Sequence, residues 1–310
     1  MLELRNKHLH AVFAQNGARL ISLYIDGVDV VFGNPVNLDL AVADGSAGAV
    51  VGRYAGRITK AQYELDGKII KLVANRGDFQ LHGGPVNFGN SNWTALTEGN
   101  SITFKIRSSD GDQGFPGVVD AQAIYSLEDH KLRLSLSAVT TKPTAINLTN
   151  HAYWNMAGAE KAGKDSLFEQ ELQINATRYL QLTDELLPTG EIRQVEGSRF
   201  DFRALREIRE AYDQCYCLDG NRGEMKQGLI LRDPHSGRRM EVWTTECAIQ
   251  MYTAIHWDNT VPSNHGKMQQ HQALAIEPQN FPDAPNHNNF PSAILRPGET
   301  YRNEMEWRFS

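Results

Sequence analysis

The sequence predicts a large all-β sandwich, and three observations carry that prediction. Asp-Gly turns separate short β-rich runs, strand-like segments return about every ten residues, and helical periodicity is nearly absent. Taken in order, residues 20–25 and 28–32 flank Asp26-Gly27, and Tyr63-Glu-Leu and Lys68-Ile-Ile-Lys-Leu flank Asp66-Gly67. Asp-Gly between two such runs is the strongest short-range hairpin signal, because both turn positions need a positive φ. Further strands are expected at 102–106, 121–127, 132–139, 146–148, 172–176, 178–182, 229–231, 241–244 and 248–253. The last strand alternates cleanly. Tyr301, Met305, Trp307 and Phe309 share one face, and Arg302, Glu304, Glu306 and Arg308 the other. One helix is expected, over residues 201–212, with Asp201 as N-cap and Phe202, Leu205 and Ile208 at three-residue spacing. Residues 256–272 are polar, and the spacing of His256, His265 and His271 fits no metal-ligand pattern, so a solvated loop is expected there.

Composition narrows the function. The chain has 310 residues, 41% hydrophobic and 22% charged, with no internal repeat and no linker-like tract, so one domain over 1–310 is expected. A formal net charge of −6 argues against nucleic acid or an anionic membrane as partner. No apolar window is long enough to span a bilayer, and the first residues lack the apolar core of a signal peptide. Three cysteines cannot form a closed disulfide framework. Cys215 and Cys217, two apart on a strand, share a face as reduced packing residues, which fits a cytoplasmic protein. There is no G-x-G-x-x-G and no phosphate loop.

Five stretches are more polar than their settings. Leu274, Ala275 and Ile276 read as a buried strand that delivers Glu277 to its end, where Pro278 is expected to stop the pairing. A carboxylate buried there becomes a general base, and one left at the surface is only a strand-end Glu. Arg53 and Arg57 lie four apart in a Gly-rich apolar run, as planar hydroxyl donors or as structural ion pairs. His82 precedes Gly83-Gly84-Pro85, a turn without bulk that lets a ligand approach. His151 stands beside Tyr153, Trp154 and Asn155, which form either a stacking platform or core. Asp213 opens a strand after the expected helix, where an Asp is usually a cap.

Together these stretches resemble the aldose 1-epimerase, or galactose mutarotase, family. The specific parts are Leu81-His-Gly-Gly, Asn150-His-Ala-Tyr-Trp-Asn and Glu277-Pro-Gln-Asn-Phe-Pro-Asp-Ala, in that order, and the likeness runs from Asn16 to Glu299. It implies a β-supersandwich and an isomerase that interconverts the α and β anomers of a free hexose such as galactose or glucose. Glu277 would take the proton of the anomeric hydroxyl and His151 would protonate the ring oxygen. Arg57 and His82 would hold hydroxyls and the ring-oxygen region, Asp213 would bind the far hydroxyls, and Gln279 would add a polar contact. No metal and no cofactor is implied, and the partner is a monosaccharide. Ring opening needs one proton removed and one added, which a carboxylate and an imidazolium on opposite sides of the ring can do. Three departures bear on the preferred sugar: Gly56 where the family often has Asn, Gln214 after Asp213, and Pro85-Val-Asn-Phe-Gly-Asn without a charged cluster. Two other activities compete. A phosphosugar mutarotase would need a basic cluster near the motifs. A glycoside hydrolase would pair Asp213 with Glu277 and leave both histidines idle. A sugar-binding module without activity would have lost the acid or the base, and both are present.

Overall fold

Two broad antiparallel sheets face one another across an apolar core in the computed structural model, which describes residues 1–34 and 46–310. The first has nine strands, in the spatial order Thr94–Glu98, Ser101–Ser108, Val119–Glu128, Lys131–Thr140, Tyr301–Phe309, Arg239–Thr244, Lys226–Arg232, Glu171–Ile174 and Arg206–Glu207. The second has seven: Pro188–Gln194, Arg178–Leu182, Asp213–Cys217, Ala248–Tyr252, Leu274–Gln279, Tyr153–Trp154 and Val31–Phe32. A four-stranded N-terminal sheet, from Leu2–Arg5 to Val28–Asp29, packs into the same core, with the rings of Phe13 and Tyr125 4.7 Å apart. Among the described residues there is no α-helix, only short 3-10 turns, and no helix is long and apolar enough to cross a membrane. The fold is therefore the all-β supersandwich that the resemblance implies.

The hairpin signals held because their chemistry is local. Asp26 and Gly27 both have positive φ, as do Asp66 and Gly67, and each pair joins two antiparallel strands. The alternation of the last strand also held: Tyr301, Met305, Trp307 and Phe309 are all buried, and the Trp307 ring lies 5.5 Å from Trp154 of the opposite sheet. The three cysteines are free, and Cys215 and Cys217 are buried together.

Four local expectations fail. Residues 201–212 form no helix. Phe202 O accepts the N–H of Ile174, Ile208 N–H donates to Gln170 O, and Arg206–Glu207 pairs with Glu171–Ile174. Sheet-edge bonds thus satisfy the backbone that a helix would have satisfied itself, and Asp201 caps a turn through Arg203 N–H. Residues 146–148 are not a strand of their own but lie between the two-residue strands Thr144–Ala145 and Thr149–Asn150. The polar segment 256–272 is a hairpin, Asp258–Ser263 with Gly266–Gln269, not a loop. Finally, pairing does not stop at Pro278: the strand runs to Gln279, with Pro278 opposite Ile249. Its other neighbour ends at Ala275, so the missing N–H of Pro278 falls where the strand is flanked on one side only. There the Pro278 carbonyl takes the Thr149 hydroxyl and the Asn303 amide.

Candidate active site

The period of two decides what faces the cleft. On the strand Leu274–Gln279, Leu274 and Ile276 point into the main core, so Glu277 and Gln279 point out of the other face of the seven-stranded sheet. On its neighbour, Ile249 and Met251 enter the core and Gln250 and Tyr252 face outward. The next strand presents Asp213, in register opposite Tyr252. The core is thus one face of this sheet and the cleft, of about 330 Å³, is the other.

Glu277 is 2% exposed, and its Oε1 lies 3.4 Å from Nε2 of His151. His151 sits between the two-residue strands Thr149–Asn150 and Tyr153–Trp154, and its main chain is gripped from both sides. Its N–H donates to Ala49 O and its carbonyl accepts from Gly48 N–H, each at 2.9 Å. The buried Asn150 secures the same junction, donating to Gly48 O at 2.8 Å and accepting from Ala152 N–H at 2.9 Å. The His151 ring is walled by Tyr153, 5.0 Å away, which in turn packs on Trp257 at 4.4 Å.

The opposite wall is the paired strands Arg57–Ile58 and Gln80–Leu81. His82 follows with φ 53°, and Gly83 turns the chain at φ 89°, where a Cβ would stand 2.3 Å from Gly52 O. Only glycine fits there. The main-chain N–H of Gly56 donates to His82 Nδ1 at 3.3 Å, so the neutral ring carries its proton on Nε2. Burial, then the neighbouring His151, Arg57 and Arg76, hold His82 well below the ordinary imidazole range. It is a neutral donor. Arg57 reaches Asp213 at 3.3 Å, and Gln250 donates to the other oxygen of the same carboxylate.

The structure therefore brings Arg57, His82, His151, Asp213, Glu277 and Gln279 to one cleft. Arg53 is not among them: its guanidinium is spent on Ser108 Oγ and on the carbonyls of Pro116 and Ser109, a structural role. Gln214 points away and donates to Leu180 O, so its departure from the family pattern does not touch the cleft. Gly56 has φ +82°, and a Cβ there would lie 3.0 Å from Pro282, so an Asn at this position would have to displace the proline. Sequence reading missed Gln250, Tyr252, Trp257 and Arg76, which complete the walls. A polar Gln250 between Ile249 and Met251, in a strand between two others, was the available signal.

His151 and Glu277, the expected acid and base, stand side by side rather than across a ring. That suits a hemiacetal, in which the anomeric hydroxyl and the ring oxygen are bonded to the same carbon. Both amide atoms of Gln279, Nδ1 of His151 and Nε of Arg57 are buried with no hydrogen-bond partner among the described residues. Buried polar atoms left open in a cleft mark a place for a polar ligand. His82, His151 and Glu277 also offer ligand atoms within 4.8 Å of one another, close enough to share a metal ion. Against that use, the Gly56 bond puts the His82 proton on Nε2, where a metal would need a lone pair.

Comparison with known proteins agrees with the fold and with the family that the sequence resembles. A family model described as aldose 1-epimerase matches residues 1–308. The chain is 36% identical to galactose mutarotase of Bos taurus over 272 residues, 85% of this chain and 78% of that protein. It is 36% identical to an aldose 1-epimerase of Haemophilus influenzae over 277 residues, 84% of this chain and 80% of the other. Among solved structures, an aldose epimerase homologue from C. elegans superposes with a TM-score of 0.92 at 30% identity, covering 100% of this chain and 98% of its own. Galactose 1-epimerase from Lactobacillus acidophilus gives 0.86 at 26%, covering 99% and 93%.

Proposed function

From the membership of this chain in the aldose 1-epimerase family, we propose how its cleft divides the work. The protein is an isomerase, a mutarotase that interconverts the α and β anomers of free sugars. The observation that carries the residue assignment is the buried contact of Glu277 with His151, 3.4 Å apart on the cleft floor.

Glu277 takes the proton from the anomeric hydroxyl while His151 gives one to the ring oxygen. The bond from the anomeric carbon to the ring oxygen breaks and leaves a free aldehyde and a new hydroxyl. Rotation about the adjoining carbon–carbon bond turns the other aldehyde face toward that hydroxyl. On closure the two protons return to their donors, so the enzyme ends as it began. His82 donates from Nε2 to a sugar oxygen. Arg57 donates and Asp213 accepts at the far hydroxyls, with their mutual contact and Gln250 fixing their orientation. Gln279 supplies both an open donor and an open acceptor. Residues 1–310 work as one domain in this reading.

Of the alternatives, glycoside hydrolysis asks Asp213 to act as acid or nucleophile, yet its carboxylate is held by Arg57 and Gln250. The test of the main reading is polarimetry on freshly dissolved α-D-galactose and α-D-glucose. Faster decay of rotation with protein than without supports it, and decay at the uncatalysed rate for every aldose tried would refute it. Exhaustive chelation should leave the rate unchanged. A loss with EDTA that one added metal restores would move His82, His151 and Glu277 to a ligand role.

A further inference from the structure

Two guanidinium groups line the cleft, and their circumstances differ. Arg57 belongs to the wall, neutralised by Asp213. Arg76 is exposed at the rim, and no ion pair or hydrogen bond engages its guanidinium among the described residues. Its main chain is nevertheless firmly held. Arg76 N–H donates to Phe79 O at 3.2 Å and Phe79 N–H returns to Arg76 O at 3.1 Å. Asn75 then ties this turn to Leu81, donating to its carbonyl at 3.0 Å and accepting its N–H at 2.7 Å. Leu81 directly precedes His82, so the turn that bears Arg76 is fastened to the strand that places a cleft residue. The charge is felt inside, since Arg76 is one of the cations that disfavour protonation of His82.

Among the described residues the charge balance of the cleft leaves this cation over. Glu277 lies against His151, Asp213 is taken by Arg57 and Gln250, and His82 is neutral. A neutral hexose offers Arg76 only hydroxyls. A carboxylate offers a planar, bidentate, charged acceptor, and such bonds are roughly twice as strong as neutral ones. We propose that Arg76 is a specificity residue that favours anionic aldoses, a hexuronic acid lying with its anomeric carbon at Glu277 and His151 and its carboxylate at the rim. The inference rests on the mutarotase reading of the site.

The test measures anomer exchange of D-galacturonate and D-galactose, by polarimetry or exchange NMR, on the wild type and on Arg76→Ala. Arg76→Ala should lower the ratio of kcat/KM for galacturonate over galactose by about tenfold at low ionic strength. Added salt should erode the same ratio in the wild type, because an exposed charge pair is screened. A ratio unchanged by the substitution overturns the proposal. D-Galactose 6-phosphate run in parallel separates the two anions: a drop seen only with the phosphate overturns the carboxylate assignment. Wild-type protein inactive on all three sugars would sink the mutarotase reading and this inference with it. Arg76 is exposed, so an unaltered melting temperature should accompany the variant and exclude misfolding as the cause.

Discussion

The middle of the nine-stranded sheet and the walls of the cleft are built on different principles. Val119–Glu128 and Lys131–Thr140 are ten residues each, paired without a break, with every second side chain in the core. Around the laddered strands that carry Asp213, Gln250 and Glu277, the cleft is framed instead by two-residue strands, Val50–Val51, Arg57–Ile58, Gln80–Leu81, Thr149–Asn150 and Tyr153–Trp154. Between them the chain is held by buried amide side chains. Asn147 donates to Ala55 O and accepts from Asn280 N–H, Asn150 holds Gly48, and Asn155 donates to Gln272 O. A long ladder sets side chains in rows, which makes a core. Bringing the proposed acid, base and hydroxyl binders from five segments to one point needs sharp turns beside the ladder strands, and there side-chain amides supply the bonds that a ladder would have made.

Three substitutions probe that contrast. Glu277→Gln keeps shape and hydrogen bonding at the cleft floor but removes the proposed base. It should lower kcat by ~100-fold or more with little change in melting temperature. Near-normal turnover would move the base elsewhere. Leu134→Ala, in the middle of the long sheet and fully buried, should cost ~2–5 kcal/mol of stability, read by urea titration, while kcat of the folded enzyme stays normal. Asn150→Ala should do some of both, about 1–3 kcal/mol of stability for the orphaned Ala152 N–H, while the Gly48 carbonyl keeps the Leu20 N–H, together with a fall in kcat as His151 loses its seat. A purely thermodynamic effect at Asn150 would erase the distinction between the two regions.

The same contrast explains what could be read in advance. Residues 121–127, 132–139 and 301–309 were legible because alternation and turn chemistry are local signals. Residues 201–212 carried a helical spacing of Phe202 and Ile208, yet both side chains are buried just as well in an irregular segment bonded to the edge of Glu171–Ile174. Spacing alone does not distinguish the two. In the cleft, Glu277, His151 and His82 stood out as polar residues in apolar or glycine-rich settings, and a resemblance then covered them. Gln250 and Arg76 did not: one gains its meaning from Asp213 two segments away in sequence, the other from the turn through Phe79. The hairpin over 256–272 was hidden because its sequence is mostly polar, with no alternating apolar run, and several of its anchors are polar.

One of those anchors gives the smallest expected effect. His265 Nε2 lies 2.7 Å from Oδ2 of the buried Asp29, which also accepts from Leu23 N–H, Val31 N–H and Asn264 Nδ2. This contact pins the hairpin whose Val261 and neighbouring Trp257 close one side of the cleft. The hydrogen bond to Asp29 raises the His265 pKa against the opposing effect of burial, with a further push from the Asp29 charge and from Glu160. A pKa raised by folding means that the folded protein holds the proton more tightly. The stabilisation is therefore complete below the unfolded value of about 6.5 and is lost as pH rises through the folded one. Denaturation midpoints of the wild type and of His265→Gln, compared from about pH 6 to about pH 8, should converge as pH rises, because Gln keeps a donor but never carries the charge. KM of the wild type should drift upward over the same range if the hairpin, and with it Trp257, loosens. A gap between the two proteins that stays constant with pH would mean that the neutral bond alone holds the hairpin, and that the polar anchors of the cleft are as indifferent to protonation as the long sheet.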